Sequence, residues 1–338
     1  MEVELSNKNK LISIVMPFKN PGKYFFPCLE SIQKQSHQNW ELIGVNDSSS
    51  DGSEEVFKHF FTQDSRFVFI QNNGQGIVDA LITGERHVKG DFICRMDADD
   101  LMPTDKLETL VAICQDDVVA TGKIAYFSDD WLVGPGFRRY EHWINKCLSN
   151  KTFDAELFKE CLLPSTAWLM TLKTFQEIGG FYTDILPEDY DLFFRTIVHR
   201  LEYKVCNKVV HHWRDHPGRT SRKDERYFPK SYFLIKWKYF HQIKFLKDKK
   251  LVLWGAGNKG KAIAQLLIKN KVAFSWLSNN PNKIGHNIYG TVVKPVLPFK
   301  WESSQVIVAI SSPKEQKEVQ IYLNEKKRVE GKNWWFFG

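Results

Sequence analysis

The chain has 338 residues, of which 43% are hydrophobic, and a formal net charge of +7. This length allows about two domains, each with its own core. No apolar stretch approaches the roughly 18 to 20 residues that cross a bilayer, and the polar start lacks the apolar region of a signal peptide. Six scattered cysteines without a CxxC pair predict buried, reduced thiols. We therefore expect a cytosolic globular protein without a membrane span.

Short apolar runs alternate with helical patterns from residue 11 to about residue 119. This alternation is typical of an α/β domain with a largely parallel sheet. Strands are predicted at residues 11–16, 40–45, 67–70 and 91–94, and helices at about 25–35, 54–61 and 77–88. Ligands of open α/β sheets bind at the carboxyl ends of strands. Because Asp47, Asp97 and Asp99 follow predicted strands, we expect one ligand to meet all three.

The most informative motif is the acid-rich run that contains Asp97, Asp99 and Asp100, directly after a predicted strand. Carboxylate oxygens suit Mg²⁺ or Mn²⁺, whose coordination is typically completed by water and substrate phosphates. The run therefore suggests a diphosphate ligand such as a nucleotide sugar. The alternative is a solvated acidic turn before a helix, because Asp is favoured at helix N-termini. The run alone does not decide between them.

Lysines and aromatic residues are interleaved between residues 223 and 250. They are Lys230, Lys236, Lys238, Lys244, Lys247, Lys249 and Lys250, with Phe228, Tyr232, Phe233, Trp237, Tyr239, Phe240 and Phe245. Such basic aromatic helices can lie on a membrane surface. In the alternative, which we favour, the aromatic stripe packs between domains and the lysines extend into water. No zinc-finger spacing or RNA-binding aromatic signature occurs, so nucleic-acid binding is not expected.

A second nucleotide-binding pattern follows this segment. A strand, a GxGxxG turn and a helix succeed one another at residues 250–254, 255–260 and 261–270. This order is typical of a phosphate-binding Rossmann unit. The next predicted strand ends at Asn279, where a dinucleotide site would have an acid for the ribose. Gly255, Gly257 and Gly260 are therefore candidates for a phosphate contact, although we favour a structural or interaction role for this domain.

Five ordered blocks resemble the family 2 inverting glycosyltransferases, which have the GT-A fold. The blocks run from Ile14 to Asn20, from Val45 to Ser53, from Arg95 to Asp100, from Gly179 to Phe181 with Pro187 to Leu192, and from Trp213 to Ser221. The whole chain resembles two-domain bacterial glycosyltransferases with a Rossmann-like domain behind the closing block. One departure is that Asn46, Asp47 and Ser48 stand where the family usually has two acids and a glycine.

The resemblance implies an α/β chain in three parts. These are a GT-A nucleotide-sugar-binding domain at residues 10–222, a basic aromatic helical linker at 223–248 and a smaller Rossmann-like domain at 249–338. It also implies that Asp189 is the base for the acceptor hydroxyl, with Glu188 as neighbour or substitute. Asp99, Asp97 and His216 would hold Mg²⁺ or Mn²⁺. Nucleotide-sugar contacts are expected at Pro17, Asp47, Arg95 and Asp97.

Basic residues of the closing block leave two interpretations open. Arg214, Arg219 and Arg222 either neutralise the diphosphate or are surface charge. His211 and His212 precede His216, but adjacent residues of a strand usually point to opposite faces, so we do not expect a site made of histidines alone.

The expected activity is metal-dependent, inverting transfer of a hexose or N-acetylhexosamine from a nucleoside-diphosphate sugar to a hydroxyl of a glycan or glycolipid. Assembly of a cell-surface polysaccharide is the expected setting, in the cytoplasm or at the inner face of the membrane. The alternative is a nucleotide-binding sensor or scaffold that works through the GxGxxG domain. An NAD-dependent oxidoreductase rests on the glycines alone and is disfavoured by Asn279.

Overall fold

The computed structural model describes residue 7, residues 9–219 and residues 229–338. The chain divides into two compact units. One comprises Met1–Lys151 and Leu163–Lys223, and the other Thr152–Leu162 and Asp224–Gly338. The segment at residues 223–248, expected to link two domains, is thus grouped almost entirely with the second unit. Thr220, Ser221, Arg222, Lys223 and Phe228 lie outside the described residues, as does the side chain of Lys230.

The first unit contains a seven-stranded mixed sheet with the order β3-β2-β1-β4-β6-β5-β7. Its strands are β1 Ile12–Phe18, β2 Trp40–Asn46, β3 Phe67–Gln71, β4 Phe92–Arg95, β5 Val118–Phe127, β6 Trp168–Thr171 and β7 Glu202–Arg214. Strands β3, β2, β1 and β4 are parallel, whereas β6 is antiparallel to both of its neighbours. The α/β class expected from the alternating pattern is confirmed.

Amphipathic helices cover this sheet because their apolar faces bury against it. They are Phe25–Gln33, Ser53–Gln63, Ile77–Glu85, Lys106–Val111, Pro135–Asn150, Leu172–Glu177 and Glu188–Val198. The strands β1 and β2 are almost entirely buried, which explains their continuous apolar runs. In the register of the parallel strands, Phe18 pairs with Asn46 and Val15 with Arg95. The residues that follow β1, β2 and β4 therefore share one edge of the sheet.

The second unit contains a six-stranded sheet with the order β10-β11-β9-β8-β12-β13. Its strands are β8 Lys250–Trp254, β9 Phe274–Ser278, β10 Asn287–Ile288, β11 Thr291–Pro295, β12 Ser304–Val308 and β13 Trp334–Phe336, and its helices are Phe153–Glu156, Pro229–Ile243, Asn258–Lys269 and Pro313–Glu325. The first strand, β8, lies between β9 and β12 and is parallel to both. This central first strand is typical of Rossmann-like sheets.

Aromatic residues of the helix Pro229–Ile243 are mostly buried inside the second unit. Trp237 and Phe240 are at most 7% exposed, and the ring of Phe240 lies 5.1 Å from that of Trp335. These side chains therefore pack within the second unit, whereas the sequence interpretation placed the aromatic stripe between domains. None of the helices in the described ranges combines the length and apolarity that a membrane crossing needs.

Candidate active site

Asp47 directly follows β2 and is 5% exposed. Its Oδ1 accepts a hydrogen bond from Asn72 Nδ2 at 2.7 Å, and its Oδ2 lies 3.3 Å from Lys19 Nζ. The backbone N–H of Gly76 donates to the same carboxylate. Burial acts to raise the pKa of Asp47, but the hydrogen bonds from Asn72, Gly76 and Lys19 outweigh it and lower the pKa. Asp47 is therefore a fixed, ionised acceptor at the sheet edge.

The residues on either side of Asp47 explain the departure from the family pattern. Asn46 Nδ2 donates to Glu54 Oε2 at 2.9 Å, and its Oδ1 accepts from the Ser49 N–H at 2.9 Å. A carboxylate at this position could not donate to Glu54. Ser48 has a φ of +60°, which lies in the left-handed region that favours glycine. The backbone thus keeps the conformation that suits a glycine, although this chain has a serine there.

Arg95 is the last residue of β4 and joins two acidic blocks. Its side chain is 5% exposed; Nη2 donates to Asp97 Oδ1 at 2.9 Å and Nη1 donates to Glu188 Oε1 at 3.0 Å. Arg95 and Glu188 are 93 residues apart in the sequence. Because a buried charge needs a partner, this arginine compensates both carboxylates and fixes their positions. Glu188 is therefore held in an ion pair, whereas the sequence pattern left it as an alternative base.

Asp189 lies beside this ion pair, in the first turn of the helix Glu188–Val198. Its Oδ1 accepts a hydrogen bond from the Tyr190 N–H at 2.8 Å. Burial raises the pKa of Asp189 to about 7, and the negative charge of Glu188 acts in the same direction, whereas the charge of Arg95 opposes both. A carboxylate with a pKa near neutrality can accept a proton at physiological pH and is suited to general base chemistry.

A small pocket opens next to Asp189. Its lining combines charged and apolar side chains: Arg95, Leu163, Ser165, Trp168, Phe181, Glu188, Asp189, Leu192 and Arg195. Arg195 pairs with Asp191 and donates to the Ile178 and Gly180 carbonyls at 2.7 and 2.8 Å, which fixes the turn before Phe181. The acid–arginine spacing of four residues could have indicated this pair from the sequence. Nothing in the sequence pattern indicated Ser165 or Trp168.

Asp99 and His216 form a second polar pair. His216 Nε2 lies 2.8 Å from Asp99 Oδ2, although the two residues are 117 positions apart. This separation is that of a hydrogen bond between the two side chains, both of which are of types that can also ligate a divalent cation. The described residues contain no group of three or more His, Cys, Asp or Glu side chains that could hold a metal. A cation held by this pair would need substrate oxygens and water to complete its coordination.

The structure also shows the surroundings of Pro17, Arg214 and Arg219. Pro17 lies within β1, paired in register with Val45. The guanidinium of Arg214 donates to the Asp99 carbonyl and pairs with Asp129, and the side chain is buried rather than on the surface. Arg219 lies over the ring of Trp213, at 5.2 Å from its centre.

Close backbone contacts within the turn at residues 255–260 of the second unit require glycine at two of its three glycine positions. Gly255 has a φ of +124°, and a Cβ on Gly260 would lie 1.9 Å from the Gly255 carbonyl oxygen. These two glycines therefore have structural reasons to be present. Around Gly257, by contrast, nothing lies within 4 Å of the position that a Cβ would take. The next strand ends at Ser278, and Asn279 follows it without a carboxylate.

The sequence of the chain is similar to those of known glycosyltransferases. Residues 13–179 match the sequence family described as "Glycosyl transferase family 2". The chain is 32% identical over 179 residues to "Glycosyltransferase GlyG" of Streptococcus pneumoniae serotype 4, covering 50% of this chain and 60% of that protein. It is 29% identical over 143 residues to the Escherichia coli "UDP-Glc:alpha-D-GlcNAc-diphosphoundecaprenol beta-1,3-glucosyltransferase WfgD", covering 41% and 56%. The matches therefore span less than two thirds of either relative.

A solved structure shares the fold. The mannosyltransferase PcManGT from Pyrobaculum calidifontis, in complex with GDP-Man and Mn²⁺, superimposes with a TM-score of 0.53 at 16% identity. The match covers 69% of this chain and 67% of that one. At this identity the likeness establishes the fold alone, and the fold is the expected GT-A one.

Proposed function

We propose that the chain is a family 2 glycosyltransferase that transfers a sugar from a nucleoside-diphosphate donor to a hydroxyl group, because residues 13–179 match that sequence family. The observation that carries the proposal is the position of Asp189. It lines a cavity, its pKa is raised to about 7, and Arg95 already compensates the neighbouring Glu188. A group with these properties can deprotonate an acceptor hydroxyl as that oxygen attacks the anomeric carbon.

Attack by a deprotonated acceptor in a single displacement inverts the anomeric carbon. We propose this course because Glu188, the other carboxylate in the cavity lining, is engaged by Arg95, and a second step through a covalent intermediate would need a separate nucleophile. The name of WfgD describes a UDP-glucose donor and a β-linked product, which supports the same course in a relative.

Asp99 and His216 are the residues that would hold Mg²⁺ or Mn²⁺. A divalent ion bound there would stabilise the charge of the departing nucleoside diphosphate. The Mn²⁺ and GDP-Man named for PcManGT support the use of a divalent ion with a nucleoside-diphosphate sugar. The ionised carboxylate of Asp47 can accept hydrogen bonds from the nucleoside. Arg95 orients Asp97, whose Oδ2 also lies 3.5 Å from Ser165 Oγ beside the cavity.

A glycan or glycolipid is the proposed acceptor, and a hexose or N-acetylhexosamine the proposed sugar. The diphosphoundecaprenol-linked acceptor in the name of WfgD supports a lipid-linked glycan of the kind used in cell-surface polysaccharide assembly.

A donor panel tests the proposal. The purified chain is incubated with UDP-, GDP- and dTDP-sugars in Mn²⁺, in Mg²⁺ and in EDTA, and release of nucleoside diphosphate is measured. We expect release from one donor class that depends on the divalent ion. The anomeric configuration of the product, read by NMR, tests inversion separately. A folded chain that hydrolyses or transfers from no donor in the presence of varied acceptor glycans would refute the proposed activity.

A further inference from the structure

The buried carboxylate of Asp100 connects the acidic turn after β4 to the end of β7 by hydrogen bonds. Asp100 Oδ1 accepts a hydrogen bond from the Arg214 N–H at 2.8 Å, and Asp100 Oδ2 lies 2.9 Å from His211 Nε2. Leu101 and His212 exchange backbone hydrogen bonds at 3.1 and 3.0 Å next to them. We call Asp100, the His211 ring and the Arg214 N–H the Asp100 strut.

The strut is fully enclosed. Asp100 is 1% exposed and His211 is 0% exposed. His211 Nδ1 has no hydrogen-bond partner among the described residues, so the ring proton belongs on Nε2, where it is donated to Asp100. A buried carboxylate costs several kcal/mol unless its oxygens are satisfied, and both oxygens of Asp100 are. Because these hydrogen bonds would be lost if either segment moved, they hold the two segments in one relative position.

The two segments each carry one member of the proposed cation pair. Asp99 precedes Asp100, and His216 follows Arg214 by two residues, yet Asp99 Oδ2 and His216 Nε2 approach to 2.8 Å. We infer that Asp100 and His211 are positioning residues that set this approach and thereby the affinity for the divalent ion and diphosphate. They need not touch the ion, because they act through Asp99 and His216.

This inference rests on the proposed function, and the alternative is that the strut only stabilises the fold. The same two chain segments offer a matched control. Lys208 Nζ in β7 lies 2.6 Å from Asp105 Oδ2, but these side chains are 60% and 43% exposed. Replacing Asp105 with Asn removes an ion pair between the same segments without touching the strut.

The experiment measures binding of Mn²⁺ by electron paramagnetic resonance, alone and with UDP or GDP. Outer-shell partners of metal ligands typically change metal affinity by about 10- to 100-fold when they are lost. We expect Asp100→Leu to raise the Kd for Mn²⁺ with the diphosphate by at least about tenfold. Asp100→Asn, which keeps the acceptor for the Arg214 N–H, should have an intermediate effect, and Asp105→Asn none.

A double-mutant cycle separates positioning from general stability. In a His216→Ala background, Asp100→Leu should weaken Mn²⁺ binding by less than about twofold, because the partner that it positions is already gone. An equal loss in both backgrounds would overturn the inference, and so would unchanged affinity in a folded Asp100→Leu protein. Should that variant not fold, His211→Phe, which keeps the Asp100–Arg214 bond, decides the question by the same criteria. If the wild-type chain itself shows no Mn²⁺-dependent binding, the proposed metal site fails first.

Discussion

Replacing Asp189 with Asn tests the proposed base, because the amide keeps the size of the side chain and loses its ability to accept a proton. The Tyr190 N–H can still donate to the amide oxygen, as it now donates to Asp189 Oδ1 at 2.8 Å. Donor binding should therefore survive. Turnover should fall by about 10² to 10⁴, which is the usual contribution of a general base.

The structure predicts an opposite effect on stability. The pKa of Asp189 rises from an ordinary 3.8 to about 7 through burial and through the charge of Glu188. This corresponds to at most about 4 kcal/mol against the ionised form in the folded protein. The penalty is fully present above pH 7 and disappears as the pH falls toward 3.8. Asp189→Asn removes it, so the free energy of unfolding should rise at about pH 8 and change little near pH 4.

Two assays check these expectations together. Rates of transfer between about pH 5 and 9 should fall on the acidic side with a midpoint near pH 7 in the wild type. Urea unfolding at about pH 5 and pH 8 gives the stability difference. Asp191→Asn is the matched control, because it is the same change two residues later but breaks the ion pair with Arg195 and should destabilise. Near-normal turnover, or lower stability at the higher pH, in Asp189→Asn would refute the reasoning.

Further predictions concern the cation pair and the second unit. Asp99→Ala should abolish transfer and Mn²⁺-dependent binding of UDP or GDP by calorimetry; unchanged affinity would contradict the metal assignment. Gly260→Ala should destabilise the protein to urea by about 1–3 kcal/mol, because its Cβ would meet the Gly255 carbonyl at 1.9 Å, whereas Gly257→Ala should cost less than about 0.5 kcal/mol. Equal costs would be inconsistent with this packing. Calorimetry with NAD should detect at most weak binding, since Asn279 supplies no carboxylate for the ribose; submicromolar binding would favour the sensor function.

Local patterns predicted the first four strands of the first unit, β1 to β4, because hydrophobic spacing sets strands and helices, whereas β5, β6 and β7 were not placed. Strand β2 was expected at residues 40–45 and spans Trp40–Asn46. Once the strands are parallel, the residues after them must share an edge, so the common location of Asp47 and the acidic turn followed from geometry. The hydrogen-bond and ion-pair partners of those acids could not be derived from sheet geometry. Which of the two acids, Glu188 or Asp189, has its charge neutralised depends on Arg95. The contact between Arg95 and Glu188 spans 93 residues, so no local repeat in the sequence reveals it.

Domain boundaries were also only partly predictable from local sequence patterns. Composition placed the boundary in the basic aromatic segment, but Thr152–Leu162 also belongs to the second unit. The reason is packing: Phe158 is fully buried, with its ring 5.1 Å from Phe337 and 5.4 Å from Phe240. Lys236 Nζ donates to the Lys159 carbonyl at 2.9 Å within the same core. A single cut near residue 248 would therefore leave these apolar side chains without their partners, so the second unit is not a contiguous segment of the chain.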